Sequence, residues 1–237
     1  MPEDQAHSRF EDALLAFADL AVDSGARWVL GGSAGLALRG ARLASAPRDL
    51  DIYADAESVL SLHDRLKPFA CDGPVWDESG SYRSLLAHYG VAGISIELVG
   101  DFEVNARGSR YITEVDTFLY ENGDVWTSGS GNGLKSGAET KFGSGSESES
   151  GSEPRSDKPG RTIRLVPLGH ELIFNVLRER PDRAREAARL ILENPGAHMP
   201  VLERLIARQS LSEEALEELR RLTAGGASGL EGDGQHG

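Results

Sequence analysis

Trp28-Val29-Leu30-Gly31-Gly32-Ser33-Ala34-Gly35-Leu36-Ala37-Leu38-Arg39-Gly40, followed after seven residues by Arg48-Asp49-Leu50-Asp51-Ile52-Tyr53, is the stretch whose reading decides the fold. An apolar run enters a glycine-hydroxyl turn, passes through a helix-like segment and ends on two aspartates separated by one apolar residue. Alternate side chains of a β-strand point to one face, so Asp49 and Asp51 project together while Leu50 and Ile52 face the other way. Two carboxylates on one strand face can hold Mg²⁺, an ion that commonly bridges protein carboxylates to nucleotide phosphates. Each half has an ordinary reading by itself: a tight turn with a serine cap, and a solvated strand end. Their order and the helix between them make the joint signal.

Two-metal chemistry calls for a third carboxylate. In Gly93-Ile94-Ser95-Ile96-Glu97-Leu98-Val99-Gly100, the residues Ile94, Ile96 and Leu98 share one strand face and Ser95 and Glu97 the other. Glu97 is therefore the candidate, and its ordinary alternative is an outward glutamate on a half-exposed strand. Asp101 and Glu103 rank behind it.

A Gly-Gly-Ser turn at Gly31, Gly32 and Ser33, then a short helix, then Asp-x-Asp at Asp49 and Asp51, resembles the nucleotidyltransferase superfamily. This is the DNA polymerase β-like fold of minimal, antibiotic and abortive-infection-type nucleotidyltransferases. The fifteen residues between Ser33 and Asp49 exceed the usual spacer, which implies an extended loop around Ala41 to Pro47. The resemblance implies an α/β (α+β) fold, with a mixed sheet flanked by helices and a C-terminal helical subdomain. It implies that Asp49 and Asp51 hold Mg²⁺, or Mn²⁺, against an NTP triphosphate. Gly31, Gly32 and Ser33 would bind phosphate through backbone N–H groups and the serine hydroxyl. The family carries its third acid on a neighbouring strand after a hairpin, which is where Glu97 falls; its role there is metal binding and catalysis. Arg178, Arg180 and Arg183 are the implied basic residues of the helical part, although arginines on helices are ordinarily solvated. Arg48 reads as an acid's partner before it reads as a phosphate contact.

The implied activity is Mg-dependent transfer of a nucleoside monophosphate to an acceptor hydroxyl on a small molecule, a tRNA or a protein, with release of pyrophosphate. Two rival classes stand beside it. One is a non-catalytic module of the same fold, such as half of a toxin–antitoxin pair; the other is a metal-dependent phosphohydrolase. The retained acids count against the first, and the glycine-serine turn against the second.

Composition bounds these readings. The chain has 237 residues, a formal charge of −13 and one cysteine. Residues 24–127 carry 9 basic and 15 acidic side chains, whereas residues 161–223 carry 11 arginines against 10 acids. Broad nucleic-acid binding depends on Lys and Arg neutralising phosphates, so the acidic first half argues against it. A lone Cys71 cannot form an internal disulfide, and it reads as a small buried hydrophobe. No leader pattern opens the sequence and no apolar run is long enough to span a bilayer. The expectation is a cytoplasmic protein without membrane contact.

Residues 1–127 read as the catalytic domain. Helices are expected over Phe10–Ala21 and over Ala56–Phe69, the latter with Val59, Leu60, Leu62 and Leu66 inward. Paired strands are expected over Ser81–Tyr89 and Ile94–Val99, and a hairpin about Glu121-Asn122-Gly123. Residues 128–160 are rich in Gly, Ser and Glu, with too little apolar surface to offset their ordering entropy, and read as a flexible insertion or linker. Residues 161–224 read as a strand rejoining the sheet, then helices over Leu168–Arg180, from Pro181, over Pro200–Arg208 and over Ser212–Leu222. His170 has no metal-spaced partner and reads as structural or exposed. Residues 225–237 read as a disordered tail.

Because the insertion contributes no core-forming residues, deleting Ser130 to Asp157 is expected to leave a cooperatively unfolding protein. Loss of a sharp thermal transition by circular dichroism would instead make the segment structural.

Overall fold

A computed structural model describes residues 3–129, 134–135 and 160–224. The expected insertion falls largely outside the described residues, and the expected tail at 225–237 entirely so. In chain order the elements are α1 (Glu3–Ala21), β1 (Val29–Gly31), α2 (Gly32–Ala37), β2 (Asp49–Ala54) and α3 (Ala56–Leu66). Strands β3 (Val75–Ser79), β4 (Tyr82–Val91), β5 (Ile94–Ala106) and β6 (Ser109–Ile112) follow. A π-helical turn over Val115–Leu119 runs into α4 (Tyr120–Asn122), and then come β7 (Asp124–Thr127), β8 (Leu134–Lys135) and β9 (Thr162–Leu165). Four helices close the described chain: α5 (Leu168–Leu177), α6 (Pro181–Glu193), α7 (Pro195–Ile206) and α8 (Glu213–Thr223).

The strands form one mixed sheet in the order β3-β4-β5-β2-β1-β9-β7-β8, with β6 paired to β5. Strand β2 runs parallel to β5 and antiparallel to β1, and β1 runs parallel to β9. Alternation sorts the side chains onto two layers. Leu50, Ile52, Ile96 and Leu98 pack on one face with Leu14 and Phe17 of α1 and Val59, Leu62 and Leu66 of α3. Tyr53, Val99, Val104 and Tyr111 pack on the other against the apolar residues of α5 to α8. This is the expected mixed sheet flanked by helices.

Several local expectations are corrected. Leu60 is 55 % exposed, because it lies off the stripe formed by Val59, Leu62 and Leu66. Cys71 is exposed rather than buried, in the bend that follows the Lys67–Phe69 turn. No hairpin forms about Glu121-Asn122-Gly123. Residues 109–112 pair with β5, residues 115–119 coil, and β7 pairs with β9 and β8 instead. The acidic strand β3, with every residue exposed, escapes the sequence reading because an edge strand buries no apolar face. Helix α7 starts at Pro195, five residues before the expected Pro200, since proline is well suited to the first helical turn. The Ser212 cap is present: its hydroxyl accepts the Ala215 N–H at 3.2 Å.

One buried ion pair ties the segment after α2 to the far side of the sheet. Both nitrogens of the Arg39 fork reach Asp124 Oδ2, at 3.0 and 2.9 Å, and Arg39 also donates to the Gly35 and Val166 carbonyls. The two side chains are 1 % and 2 % exposed. A buried pair is costly to break from one side, because the remaining charge is left without a partner. Arg39→Met is therefore expected to lower unfolding free energy by about 3–5 kcal/mol in urea titrations. A loss below about 1 kcal/mol would show that Asp124 is satisfied by other means.

Candidate functional site

The parallel register of β2 and β5 sets Asp51 opposite Glu97 and Asp49 opposite Ser95. Asp49, Asp51 and Glu97 thus share the sheet face covered by the C-terminal helices, and all three line one cleft of about 540 Å³. Its floor includes Tyr53 and Val99, and its β3–β4 side includes Asp77, Ser79, Tyr82 and Ser84. Ser45 and Ala46, from the long spacer before β2, form a lip. That spacer is tied to α6: the Arg42 N–H donates to Glu186 at 2.6 Å, and Arg189 donates to the Gly40 carbonyl at 3.1 Å.

Facing the acids from the end of α5 and the start of α6 are Arg178, Arg180 and Arg183. Among the described residues none of these three forms an ion pair; the carboxylates on this side engage other arginines such as Arg189 and Arg107. The Arg178 guanidinium lies over the rings of Phe174 and Tyr82, with its carbon 4.8 and 5.2 Å from their centroids. Its Nε is buried without a hydrogen-bond partner. Burial, then the neighbouring charges of Arg178 and Arg183, lower the pKa of Arg180. The sequence's default of three solvated arginines is replaced by a cationic wall. Arg48 lines the cleft as well and forms no ion pair among the described residues, contrary to the pairing first expected.

The acids crowd one another. Burial, then Asp49 and Glu97, push the Asp51 carboxyl up to about 6, with Arg178 and Arg183 pulling the other way. The second-choice acids are committed elsewhere. Asp101 accepts the Ala56 N–H at 2.9 Å, and Glu103 is held by Arg110 at 2.7 and 2.9 Å. Three oxygen-donor side chains whose charges oppose one another are a donor set suited to a hard divalent cation. Among the described residues no three His, Cys, Asp or Glu side chains already stand as a ready-made metal cluster.

The glycine turn departs from expectation in two respects: Gly31 is not among the residues lining the cleft, and the Gly32 N–H is already taken. Gly32 has φ +62°, and a Cβ there would come within 1.8 Å of Asp51 Oδ2. Only glycine fits between the turn and that carboxylate. The Gly32 N–H, expected to meet phosphate, instead donates to Glu171 Oε1 at 2.6 Å. Of the expected phosphate contacts, the Ser33 hydroxyl is the side chain in the cleft lining.

Glu171 is the site residue that sequence reasoning missed. It lies on α5, whose ten residues are all buried because the helix is packed between the sheet and its neighbouring helices. Burial pushes its carboxyl up to about 7, against the opposing pull of Arg39, the Gly32 N–H and Asn175. Asn175 donates to its Oε2 at 3.2 Å and to its main-chain carbonyl at 2.8 Å. His170, also buried, meets the Tyr111 hydroxyl through Nδ1 at 2.7 Å, and burial lowers its pKa to about 3. It is a structural residue. A signal existed: Glu171 and Asn175 lie i, i+4 on a helix that is otherwise apolar but for His170, and a buried glutamate is rare unless it is paired.

No protein-family model matches the sequence, and no curated protein matches it. Among solved structures, a Thermotoga maritima protein assigned as a nucleotidyltransferase is similar over 47 % of this chain and 71 % of its own, at 19 % identity and a TM-score of 0.40. The antibiotic-resistance factor ANT(2″)-Ia in solution matches over 92 % of this chain and 97 % of its own, at 13 % identity and a TM-score of 0.43. The same factor in complex with adenylyl-2″-tobramycin matches over 82 % and 95 %, at 11 % identity and a TM-score of 0.41. The likeness is coarse at these scores, so the functional reading rests on the cleft itself.

Asp51 links the site to stability. Its folded pKa of about 6 lies above the ordinary 3.8, so the folded protein holds a proton that the unfolded chain releases between those values. Stability associated with this group is fully present below pH 3.8 and is lost as pH rises through about 6. Without divalent cations, Asp51→Asn is expected to be more stable than the parent at pH 7.5 by roughly 3 kcal/mol, with the advantage largely gone near pH 4. Denaturant titrations across pH check this, and a pH-independent difference would remove the electrostatic explanation.

Proposed function

We propose that this chain is a Mg-dependent nucleotidyltransferase that moves a nucleoside monophosphate from an NTP to an acceptor hydroxyl and releases pyrophosphate. The observation that carries the reading is the pairing of opposed walls in one cleft. Three carboxylates stand on adjacent strands, and three arginines, free of ion pairs among the described residues, face them. An NTP needs both walls: cationic groups for its phosphates, and carboxylates for the cation that accompanies them.

Asp49, Asp51 and Glu97 would hold Mg²⁺, or Mn²⁺ in its place. That ion, when bound, supplies charge neutralisation at the reacting phosphate and its leaving group. Arg178, Arg180 and Arg183 bind the triphosphate and stabilise charge as pyrophosphate departs, with the Ser33 hydroxyl as a further donor. Glu97 stands to accept the proton of the acceptor hydroxyl. The acceptor oxygen forms its bond to the α-phosphorus as the bond from that phosphorus to the β-bridging oxygen breaks. The protein forms no covalent intermediate, so positioning and electrostatics supply the catalysis. The acceptor is a small molecule, a tRNA or a protein. Mass spectrometry of candidate acceptors incubated with each labelled NTP identifies it. No helix of the described residues is long and apolar enough to cross a membrane; the proposed cytoplasmic setting rests on the lone Cys71 and is itself a proposal.

Calorimetry with Mg²⁺–NTP and release assays test the reading. The parent is expected to bind and, with acceptor, to yield pyrophosphate. Asp49→Asn combined with Asp51→Asn should abolish metal-dependent binding with the fold intact. Glu97→Gln should keep much of the nucleotide affinity and lose transfer by several orders of magnitude, as for a group that acts mainly in the transition state. Release of orthophosphate alone would favour the phosphohydrolase, and equal Mg²⁺–NTP affinity in the double variant would sink the metal assignment.

A further inference from the structure

Gly31 and Gly32 open a six-residue helix, and no side chain of Gly31 can cap it. Such a start leaves backbone donors without partners, and two successive glycines give the turn little stiffness of its own. The structure supplies the missing restraint from 139 residues away, through the 2.6 Å hydrogen bond from the Gly32 N–H to Glu171. The same carboxyl oxygen lies 3.1 Å from where a Cβ of Gly31 would stand, and the Tyr53 ring lies 2.5 Å from that point. The turn also abuts the Asp51 carboxylate, which leaves no room for a Cβ on Gly32. Glu171 is in turn fixed by Asn175, by its 1 % exposure and by a wholly buried helix.

We propose that Glu171 is a positioning residue: it clamps the Gly31–Gly32 turn against Asp51 and so sets where that carboxylate stands in the cleft. The inference rests on the nucleotidyltransferase reading and deepens it. The turn cannot shift away from Glu171 without losing this part-buried hydrogen bond, and Asp51 stands so close that the turn has no room even for a Cβ. Glu171 therefore acts through Gly32 and Asp51 and need not touch substrate. The Gly32 N–H, committed to the clamp, is not a phosphate donor, so phosphate recognition falls to Ser33 and the three arginines.

The full-length parent, Glu171→Gln and Glu171→Met are compared by thermal unfolding, by calorimetry with Mg²⁺ and non-hydrolysable NTP analogues, and by amide exchange at Gly32. Glutamine keeps an acceptor oxygen, so it should hold Gly32 protected and retain Mg²⁺–nucleotide affinity within about threefold of the parent. Methionine fills similar space without an acceptor. It should lose Gly32 protection and about tenfold or more in affinity, while the Ile52 amide stays protected. Unchanged affinity in a folded Glu171→Met would overturn the clamp. If that variant does not fold, the parent decides: Gly32 protection that persists on nucleotide binding supports the clamp, and protection lost on binding means that phosphate displaces Glu171. A parent that binds no Mg²⁺–nucleotide removes the functional reading itself, a failure distinct from retained affinity in the variant.

Discussion

The parallel pairing of β2 with β5 is the constraint on which the site depends. Strand side chains alternate, so a one-residue slip of β2 would send Asp49 and Asp51 into the apolar layer beneath α1 and α3 and bring Leu50 and Ile52 out into the cleft. The hydrophobic cost of that exchange fixes the register. The same burial that secures the core thereby forces three like charges to share one small patch of surface. Burial first, and then this mutual repulsion, raise the pKa of Asp51.

Helix α5 resolves this tension. It covers the acid-bearing face, contributes apolar residues to the core there, and ends at Arg178, where cationic charge begins. The turn into α6 passes through Glu179 at φ +52° before Pro181 starts the next helix, and it delivers Arg180 and Arg183 to the same wall. The aromatic rings of Phe174 and Tyr82 give Arg178 a surface to rest on without neutralising it. Charge opposition across the cleft is thus a consequence of how the core is covered.

Much of this was legible in the sequence where periodicity and chemistry coincide. The alternation through Asp49-Leu50-Asp51-Ile52 and Ile94-Ser95-Ile96-Glu97 places all three acids on one face, and the structure has them lining one cleft. Local pattern fails where long-range partners decide. The chain near 109–127 looks like a hairpin because Asn122-Gly123 is good turn chemistry, yet its strands find β5 and β9 instead. Exposed β3 carries no apolar stripe to betray it. Arg178, Arg180 and Arg183 look like solvent-facing helix residues until the sheet beneath them is known. Glu171 had only the i, i+4 hint of Asn175, because the glycine turn that it holds is 139 residues away and bonds it through a backbone group.

The separation between Gly32 and Glu171 also bears on how the molecule comes into being. The acid-bearing strands β2 and β5 are complete by residue 106, but both the clamp on the glycine turn and the cationic wall come from beyond residue 167. Contacts between such distant segments form only after the cost of closing a long loop has been met. A chain emerging from the ribosome therefore carries its three carboxylates for some time without the arginines that face them. Such a nascent species has a sheet face still waiting for its helical cover and no two-walled cleft, so the proposed chemistry has no site until residues beyond 167 have docked.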